Sequence, residues 1–478
     1  MEFMHSIKTS LENSRFRWIT YQRSYMYLGA ILIRVIFSLI FIDWADGPVF
    51  LDAGKDILVE KTSIYNDDVD SPHYLFNYFP LAYLAILPGM ALYYLIGFDN
   101  PYLLRLFLKL PLIAGDIALA LLINRDYHNS VFPKNEENES VQEKTTISTN
   151  SDGDKRKRAS QVELFILFNP FIIFTSSIKG QFDIIPVILL YLGWVKYKKG
   201  ENTSSGALIG ASILFKQYGV LFSIMIGLNL LKTKYKKFPK FFLGHLLVTI
   251  PVLVVAAFLN FEGLKYHAIY YHLDRPPSGF SITSILFYST TIPVRESYSS
   301  TFSVIIGNLV QTVFFSTLLL ILLYFGYKLW MSNNEELDVI NALLFALTAF
   351  FLFNNVFWIQ YFVIFMILWI EKKKLLHKPI TDTSIYWGYA TLPLAVVFRV
   401  SFMVPDEVRV FLGSFWVEII WFSGVILHFL LMYIFTKQGR PLFARSYIMP
   451  IYIIGMIILP FHFVLMTNLA NAQDFFVT

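Results

Sequence analysis

The chain has 478 residues, of which 56% are hydrophobic and 18% aromatic, while only 15% are charged. Soluble domains carry about a quarter of charged residues, so this composition excludes an ordinary soluble enzyme and indicates a polytopic membrane protein. The net charge of +5 is modest, and we expect no nucleic-acid partner. The absence of cysteine excludes disulfides, cysteine-ligated zinc and thiol nucleophiles.

The first apolar segment, about 24–43, follows a basic N-terminal stretch over residues 1–23. Basic residues mark the cytoplasmic side, which predicts a cytoplasmic N-terminus and an external loop after the segment. No small-residue cleavage site follows, so we expect a retained helix and not a signal peptide. Arg34 lies within this span and is expected to snorkel or to pair with an acid elsewhere in the bundle.

The first external loop, 43–102, is rich in acids and is expected to carry interfacial helices. Its acids are Asp43, Asp46, Asp52, Asp56, Asp67, Asp68 and Asp70. A carboxylate at the end of a membrane segment can act on a substrate whose tail lies in lipid and whose head lies in water. Asp46 is therefore a candidate catalytic base, with Asp43 as the second candidate. For any one acid alone, simple solvation of the loop is the alternative interpretation.

Residues 125–160 form a polar, low-complexity insert with a basic run, Lys155–Arg158, near its end. This composition predicts a disordered cytoplasmic insert. Since the N-terminus is also predicted to be cytoplasmic, an even number of apolar stretches must cross before it. The three stretches available are 24–43, 79–98 and 103–124. Because Pro80 and Pro88-Gly89 interrupt the second stretch, we expect it to lie at the outer interface as a shallow or re-entrant element.

The third span, about 161–178, leads out to Lys179–Asp183, and the fourth returns to the basic residues at 196–199. The segment 205–231 that follows is too short for two full crossings, so we expect it to turn near Lys216. A lysine in such a turn is predicted to point into a polar cavity. The remaining predicted features are a span at 241–259, a second external loop at 260–300, and spans at 302–328, 338–356, 357–371, 384–403, 411–436 and 446–467. The total is about 13 crossings in a single domain over residues 1–478.

The unusual polar residues are predicted to gather at the outer ends of these spans and to line one outward-facing site. The candidate catalytic residues are Asp46 and Asp43; the candidate donor phosphate-binding residues are Lys216, Arg275 and His272; the candidate substrate-binding residues are Asp52, Gln181, Asp183, Gln360 and Tyr361. A carboxylate can take the proton of an acceptor hydroxyl as it attacks an anomeric carbon, and cations can stabilise the leaving phosphate. Such a direct displacement inverts the anomeric centre. Acids beside a phosphate could also hold a divalent cation, although their spacing does not specify one.

Motifs of other enzyme classes are absent from the sequence. It contains no GxxxxGK[ST] phosphate loop, no GxGxxG after a strand, no HExxH and no GxSxG. A nucleotide-driven pump and a soluble-type nucleotide-sugar site therefore have no support.

An ordered series of short motifs over about the first 365 residues resembles the GT-C superfamily of polyprenyl-phosphate-sugar-dependent glycosyltransferases. The motifs are Asp46–Ala53, Tyr78–Leu81, Lys109–Asp116, Asn169-Pro170 with Lys179–Asp183, Gly206–Gln217 and Asn354–Tyr361. They are similar to segments of the GPI mannosyltransferase I group and its bacterial polyprenyl-phosphate-mannose relatives. The Phe215-Lys216-Gln217 segment is also similar to the endoplasmic-reticulum glucosyltransferases of lipid-linked oligosaccharide assembly. Residues 375–478 lie outside the resemblance.

The resemblance implies an all-α GT-C-like bundle with an external active site and a first-loop Asp as the base. It implies transfer of a hexose, mannose being favoured, from a dolichyl- or polyprenyl-phosphate donor to a lipid-linked or glycoconjugate acceptor. The membrane would be that of the endoplasmic reticulum in a eukaryote or the plasma membrane in a prokaryote. Because the mannosyltransferase group has Asp-x-Asp where this chain has Asp43-Trp-Ala-Asp46, either aspartate can hold the role of base.

Two other classes remain as alternatives to an enzyme. A lipid or solute transporter, or a flippase, would also have broken helices and intramembrane charges, but it should show pseudo-symmetric halves with paired interruptions. The sequence has one good interrupted pair, around Lys216. A membrane scaffold without chemistry would not require acids, cations and an amide to converge on one face.

Overall fold

A computed structural model of the chain describes eleven segments of the sequence. These are residues 23–39, 46–61, 80–97, 100–131, 162–163, 165–266, 278–279, 301–332, 336–353, 356–357 and 361–376. The chain divides into two compact units: unit 1 comprises Met1–Gly47 and Ala85–Ile184, and unit 2 comprises Pro48–Leu84 and Ile185–Thr478. Each unit is described by itself below.

The described chain is all-helical apart from one pair of two-residue strands. The helices, in chain order, are α1 (23–39), α2 (Asp46–Lys55), α3 (Leu87–Ile96), α4 (Pro101–Val131), α5 (Pro170–Ile173), α6 (Ile184–Lys198), α7 (Asn202–Ile213), α8 (Gly219–Thr233), α9 (Phe238–Lys265), α10 (Thr301–Met331), α11 (Glu336–Phe353) and α12 (Phe362–Leu375). Residues 162–163 and 165–167 are also helical. Shorter helical turns are π-helical at Asp56–Glu60 and Phe174–Ile178, and 3₁₀ at Pro80–Ala85 and Tyr235–Lys237. The strands are β1 (Ser278–Gly279) and β2 (Val356–Phe357), and they pair in parallel.

The long helix α4 begins where Asn100 caps it. The Asn100 Oδ1 atom accepts hydrogen bonds from the backbone N–H groups of Tyr102, at 2.9 Å, and Leu103, at 3.1 Å. Such a cap satisfies donors that have no partner within the helix. With 31 residues, α4 is roughly 46 Å long at about 1.5 Å per residue. Among the described helices, the segments Pro101–Asp126 and Tyr235–Lys265 are long and apolar enough to cross a membrane.

Helices α7 and α8 confirm the prediction of a turn near Lys216. They contain 12 and 15 residues, or roughly 18 Å and 22 Å of helix at about 1.5 Å per residue. Each is therefore shorter than the roughly 30 Å hydrocarbon core. The chain turns between them over Leu214–Tyr218, where the Lys216 N–H bonds to the Ser212 carbonyl at 2.9 Å.

Glycines allow α7 and α9 to pack backbone against backbone in unit 2. A Cβ atom placed on Gly206 would lie 1.9 Å from the Phe241 carbonyl oxygen, and one on Gly244 would lie 1.9 Å from the Thr203 carbonyl oxygen. Neither position has room for a side chain. The SGALIGAS segment therefore determines which helix face approaches α9, and that contact holds the Leu214–Tyr218 turn at the end of α7.

In the first half, the predicted interruption of the stretch 79–98 lies at a different residue. The stretch 79–98 is broken at Ile86, between the 3₁₀ turn and α3. The prediction that Pro88-Gly89 interrupts it is wrong, because Pro88 lies in the first turn of α3, where no N–H is needed, and Gly89 lies inside that helix. Helices α2 and α3 lie within residues 43–102, while the interfacial position predicted for them stays a prediction.

In the second half, α9, α10, α11 and α12 lie at the four spans predicted between residues 241 and 371. Of these, the segment Tyr235–Lys265 is long and apolar enough to cross a membrane; that the other three cross it stays a prediction. Helix α11 ends at Phe353 and α12 begins at Phe362, so the two helices stop on either side of the predicted turn at Asn354–Tyr361.

The predicted start of the disordered insert at residue 125 is wrong, because residues 125–131 continue helix α4 to Val131. The insert beyond residue 131, most of the loop 260–300 and the spans at 384–403, 411–436 and 446–467 lie outside the described residues.

Candidate active site

Six of the ten predicted site residues have no described side chain. Asp46 is the first residue of α2 and Asp52 lies within it, but only their backbone is described. Asp43, His272, Arg275 and Gln360 lie outside the described residues. The described candidates fall into two groups, Gln181 and Asp183 in unit 1 and Lys216 and Tyr361 in unit 2.

In unit 1, the buried Lys109 holds the end of the segment that leads to Gln181. Its ammonium donates hydrogen bonds to the carbonyl oxygens of Ser177, at 2.8 Å, and Ile178, at 3.0 Å. The turn continues through Gly180, which has a φ of +76° and would place a Cβ atom 2.9 Å from the Lys109 Cε atom. Only glycine suits both the left-handed conformation and this close approach. Two of the motifs, Lys109–Asp116 and Lys179–Asp183, therefore meet through the lysine side chain.

A buried ion pair holds the same segment one turn earlier. Arg34 Nε lies 2.7 Å from Asp116 Oδ2, and both side chains are fully buried. The Ser176 hydroxyl donates to the same carboxylate oxygen at 2.6 Å. Arg34 also donates from Nη1 to the Leu167 carbonyl oxygen at 2.7 Å. These contacts confirm that Arg34 pairs with an acid elsewhere in the bundle, and they connect α1, α4 and the segment 167–176.

Gln181 and Asp183 come directly after the segment that Lys109 and Asp116 hold in place, and both side chains are buried. The Gln181 backbone N–H bonds to the Thr175 carbonyl oxygen at 2.8 Å, which closes the turn after the π-helical segment. The turn that carries Gln181 and Asp183 is therefore held by several hydrogen bonds to its backbone. The role of the two residues in substrate binding stays a prediction.

In unit 2, two of the motifs and the second external loop converge around the turn between α7 and α8. The Leu81 N–H, in the Tyr78–Leu81 motif, bonds to the Leu214 carbonyl oxygen at 3.1 Å. Strand β1, from the second loop, pairs with β2 of the Asn354–Tyr361 turn, with Ser278 opposite Val356. These segments are far apart in the sequence, and the fold of unit 2 brings them together.

Lys216 and Tyr361 are in direct contact at this convergence. The Lys216 Nζ atom lies 5.2 Å from the centroid of the Tyr361 ring, and the lysine side chain is buried. The Tyr218 ring approaches Tyr361 edge-on, with centroids 5.9 Å apart. A cation over an aromatic face is stabilised by the ring quadrupole, more strongly when it is shielded from water. Lys216 is thus a buried positive group held on a polarizable surface.

The possible divalent cation stays a prediction. Among the described side chains, no three His, Asp or Glu groups are close enough to hold a metal ion. The acids predicted to bind such a cation are not among the described side chains; they are Asp43, Asp46 and Asp52.

Arg34, Lys109 and Asp116 were not among the predicted site residues. The sequence does mark all three residues as unusual, because charges inside membrane segments are costly and usually make an internal contact. The sequence does not show which backbone carbonyls they bind. In the structure they support the Ser176–Ile178 segment, immediately before the predicted substrate-binding turn.

Two helical segments of the described chain are long and apolar enough to cross a membrane, and Asp116 of one of them forms a fully buried ion pair with Arg34 of α1. Such features are typical of a helical membrane protein. The chain is similar to GPI mannosyltransferase 1 of Saccharomyces cerevisiae, with 29% identity over 223 residues, which are 44% of this chain and 52% of that protein. It is also similar to GPI mannosyltransferase 1 of Kluyveromyces lactis, with 26% identity over 210 residues, which are 42% and 50% of the two chains. The predicted resemblance to a GT-C-type mannosyltransferase is therefore confirmed.

These similarities cover a limited part of each protein. The chain spans about half the length of the curated relatives it matches. No family model matches the chain.

Proposed function

We propose that the chain is an inverting membrane glycosyltransferase that moves a hexose, with mannose favoured, from a dolichyl- or polyprenyl-phosphate donor. The acceptor is a lipid-linked or glycoconjugate hydroxyl at the external face of the membrane. The observation that carries the proposal is the similarity to two proteins named GPI mannosyltransferase 1. The meeting of distant motifs around Lys216 supports it independently, because an enzyme needs such convergence.

In the proposed reaction, Asp46 takes the proton from the acceptor hydroxyl as its oxygen attacks the anomeric carbon. The bond from that carbon to the carrier phosphate oxygen breaks, and the bonding electrons leave with the phosphate. A positioned general base contributes about 10²–10⁴-fold to such a rate. Asp43 is the alternative base, because the sequence does not distinguish the two aspartates.

Lys216, with Arg275 and His272, is proposed to bind the donor phosphate and to stabilise the charge on it as the sugar departs. A buried ammonium suits this role, because charge interactions are stronger where water is excluded. Tyr361, beneath the ammonium, is proposed to position it and to contact the sugar or carrier. Asp52, Gln181, Asp183 and Gln360 are proposed to contact the substrates through their polar groups.

The experiment uses membranes that contain the full chain, radiolabelled dolichyl-phosphate-mannose and a total lipid extract as acceptor. Asp46→Asn is expected to lower the rate of labelled glycolipid formation by about 10²–10⁴-fold. Asp56→Asn is the matched control, since it makes the same chemical change in the π-helical turn that follows α2, and it is expected to retain activity.

The outcomes distinguish the two aspartates. An active Asp46→Asn variant together with an inactive Asp43→Asn variant would move the base to Asp43. If both variants transfer mannose at the wild-type rate, the proposed mechanism is wrong.

A further inference from the structure

One end of unit 2 carries a concentration of lysines on the ends of several helices. The lysines described there are Lys196, Lys198, Lys199, Lys232, Lys234, Lys236, Lys237, Lys240, Lys328, Lys372, Lys373 and Lys374, and the described acids are Glu201, Glu336, Asp338 and Glu371. The proposed reaction uses none of these residues. The turn from Lys232 to Lys240, here called the basic turn, contains five of the lysines and no acid.

The backbone of the basic turn is well fixed. The Lys234 N–H bonds to the Leu230 carbonyl oxygen at 2.8 Å, which ends α8, and the Lys237 N–H bonds to the Lys234 carbonyl oxygen at 2.7 Å. Lys232 donates to the backbone carbonyl oxygens of Trp330 and Ser332 and so attaches the turn to the end of α10. The basic turn is therefore a defined surface of this unit.

Four lysines of the basic turn are exposed, namely Lys234, Lys236, Lys237 and Lys240. Lys199, also exposed, adjoins them, since a Cβ atom on its neighbour Gly200 would lie 3.3 Å from the Lys237 Nζ atom. The result is a surface of five positive charges formed by two neighbouring turns.

Two acids near this surface already bind other lysines. Glu201 lies 2.5 Å from the Lys196 Nζ atom. Glu371 lies 2.9 Å from the Lys198 Nζ atom and 3.3 Å from that of Lys374. Neither acid's ion pairs involve Lys199 or a lysine of the basic turn.

The helix that starts in the basic turn carries an apolar surface suited to lipid. Large apolar side chains are exposed from its first turns onward, among them Phe242 at 49% and Leu247 at 59%. The segment Tyr235–Lys265 is long and apolar enough to cross a membrane. Tyr235, at the start of this segment, is 66% exposed, as is common for tyrosines at the level of lipid headgroups. If α9 lies in hydrocarbon, headgroups of the adjoining leaflet lie level with the basic turn.

We propose that the basic turn, with Lys199, is a binding site for the headgroups of anionic phospholipids. Clusters of lysines directly beside a membrane helix bind such lipids, each contributing a factor of roughly five near an anionic surface. The acyl chains would lie along the exposed apolar face of α9 while the phosphate and carboxylate groups bind the ammonium groups. This inference does not depend on the proposed glycosyl transfer.

The test uses the full chain reconstituted in phosphatidylcholine vesicles that contain a trace of spin-labelled phosphatidylserine or spin-labelled phosphatidylcholine. Electron spin resonance measures the fraction of each label immobilised by the protein, and the ratio of the two association constants gives the selectivity. Wild type is expected to prefer phosphatidylserine, and the preference should weaken as added salt shortens the Debye length below about 10 Å.

The triple variant Lys234→Gln, Lys236→Gln, Lys237→Gln is expected to lower the selectivity ratio by up to about 10²-fold, since it removes three of the five exposed charges and each contributes a factor of roughly five. The matched control removes the same number of charges elsewhere in unit 2, through Lys55→Gln, Lys61→Gln and Lys265→Gln, and should keep the wild-type ratio. A triple Lys→Arg variant at the basic turn should also keep it, because the charge is retained.

Three results would overturn the proposal. One is a wild-type protein with no preference for phosphatidylserine, a measurement that needs no variant to fold. Another is an equal loss of selectivity in the control and in the basic-turn variant, which would indicate an effect of net charge alone. The last is loss of selectivity when inorganic phosphate replaces chloride at constant ionic strength, since the site would then bind a free anion and not a lipid.

Discussion

Asp116→Asn should destabilise unit 1, because it leaves the Arg34 guanidinium fully buried without its counter-charge. The two side chains are joined at 2.7 Å and neither is exposed to solvent. Breaking such a buried pair by removing one partner costs about 3–5 kcal/mol, most of it the penalty of an uncompensated charge. The hydrogen bond from the Ser176 hydroxyl to the carboxylate is weakened as well.

The double variant Arg34→Met, Asp116→Leu should recover most of this loss, because it removes both charges and keeps apolar volume. Recovery should be incomplete, since the Leu167 carbonyl oxygen loses its hydrogen bond from Arg34. Glu60→Gln is the control. Its partner Lys55 lies 2.7 Å away, but their side chains are 55% and 44% exposed for Lys55 and Glu60, and an exposed pair contributes only about 0–1 kcal/mol.

The full chain is unfolded with increasing SDS, and the loss of helix is monitored by circular dichroism. The unfolding midpoints rank the stabilities of the wild type and the variants. Hydrogen exchange of the peptides from α4 and the segment 170–183 localises the change to unit 1. If Asp116→Asn unfolds no more easily than Glu60→Gln, the buried Arg34–Asp116 pair does not carry the stability assigned to it.

Three further changes test other parts of the structure. Gly206→Ala should cost about 1–3 kcal/mol or more, because its Cβ would lie 1.9 Å from the Phe241 carbonyl oxygen. Gly227→Ala, where the nearest atom would be at an ordinary 3.4 Å, should be tolerated; equal unfolding midpoints for the two would contradict the close packing of α7 and α9. Lys216→Met should raise the apparent KM for the donor and lower kcat in the transfer assay, while Lys216→Arg should retain more activity; equal kinetics would exclude a charge role. Lys109→Met should speed hydrogen exchange of residues 177–183, and unchanged exchange would show that its two hydrogen bonds do not hold that turn.

Simple length arguments predicted much of the fold. The turn at Lys216 was predicted because the segment is too short to cross a membrane twice, and α7 and α8 are as short as that prediction requires. The Asn354–Tyr361 turn followed from a polar interruption between two apolar runs. These features depend on local composition, which the sequence displays directly.

Features that depend on distant contacts could not be predicted in the same way. The sequence identified Arg34 as an intramembrane charge but not Asp116 as its partner, because the two are 82 positions apart and several acids were available. The break at Ile86 was expected at Pro88-Gly89, since a proline is equally compatible with a break and with the first turn of a helix. The pairing of Ser278 with Val356 has no local signal, because two-residue strands leave no periodic pattern.

Transfer by the full chain from different mannose donors tests the proposed function most directly. Membranes that contain the chain are supplied in parallel with radiolabelled dolichyl-phosphate-mannose and with radiolabelled nucleotide-linked mannose, under conditions that block conversion of one into the other. The proposal predicts labelled glycolipid from the lipid-phosphate donor alone. Direct transfer from the nucleotide donor, or no transfer from any lipid-phosphate hexose, would contradict it.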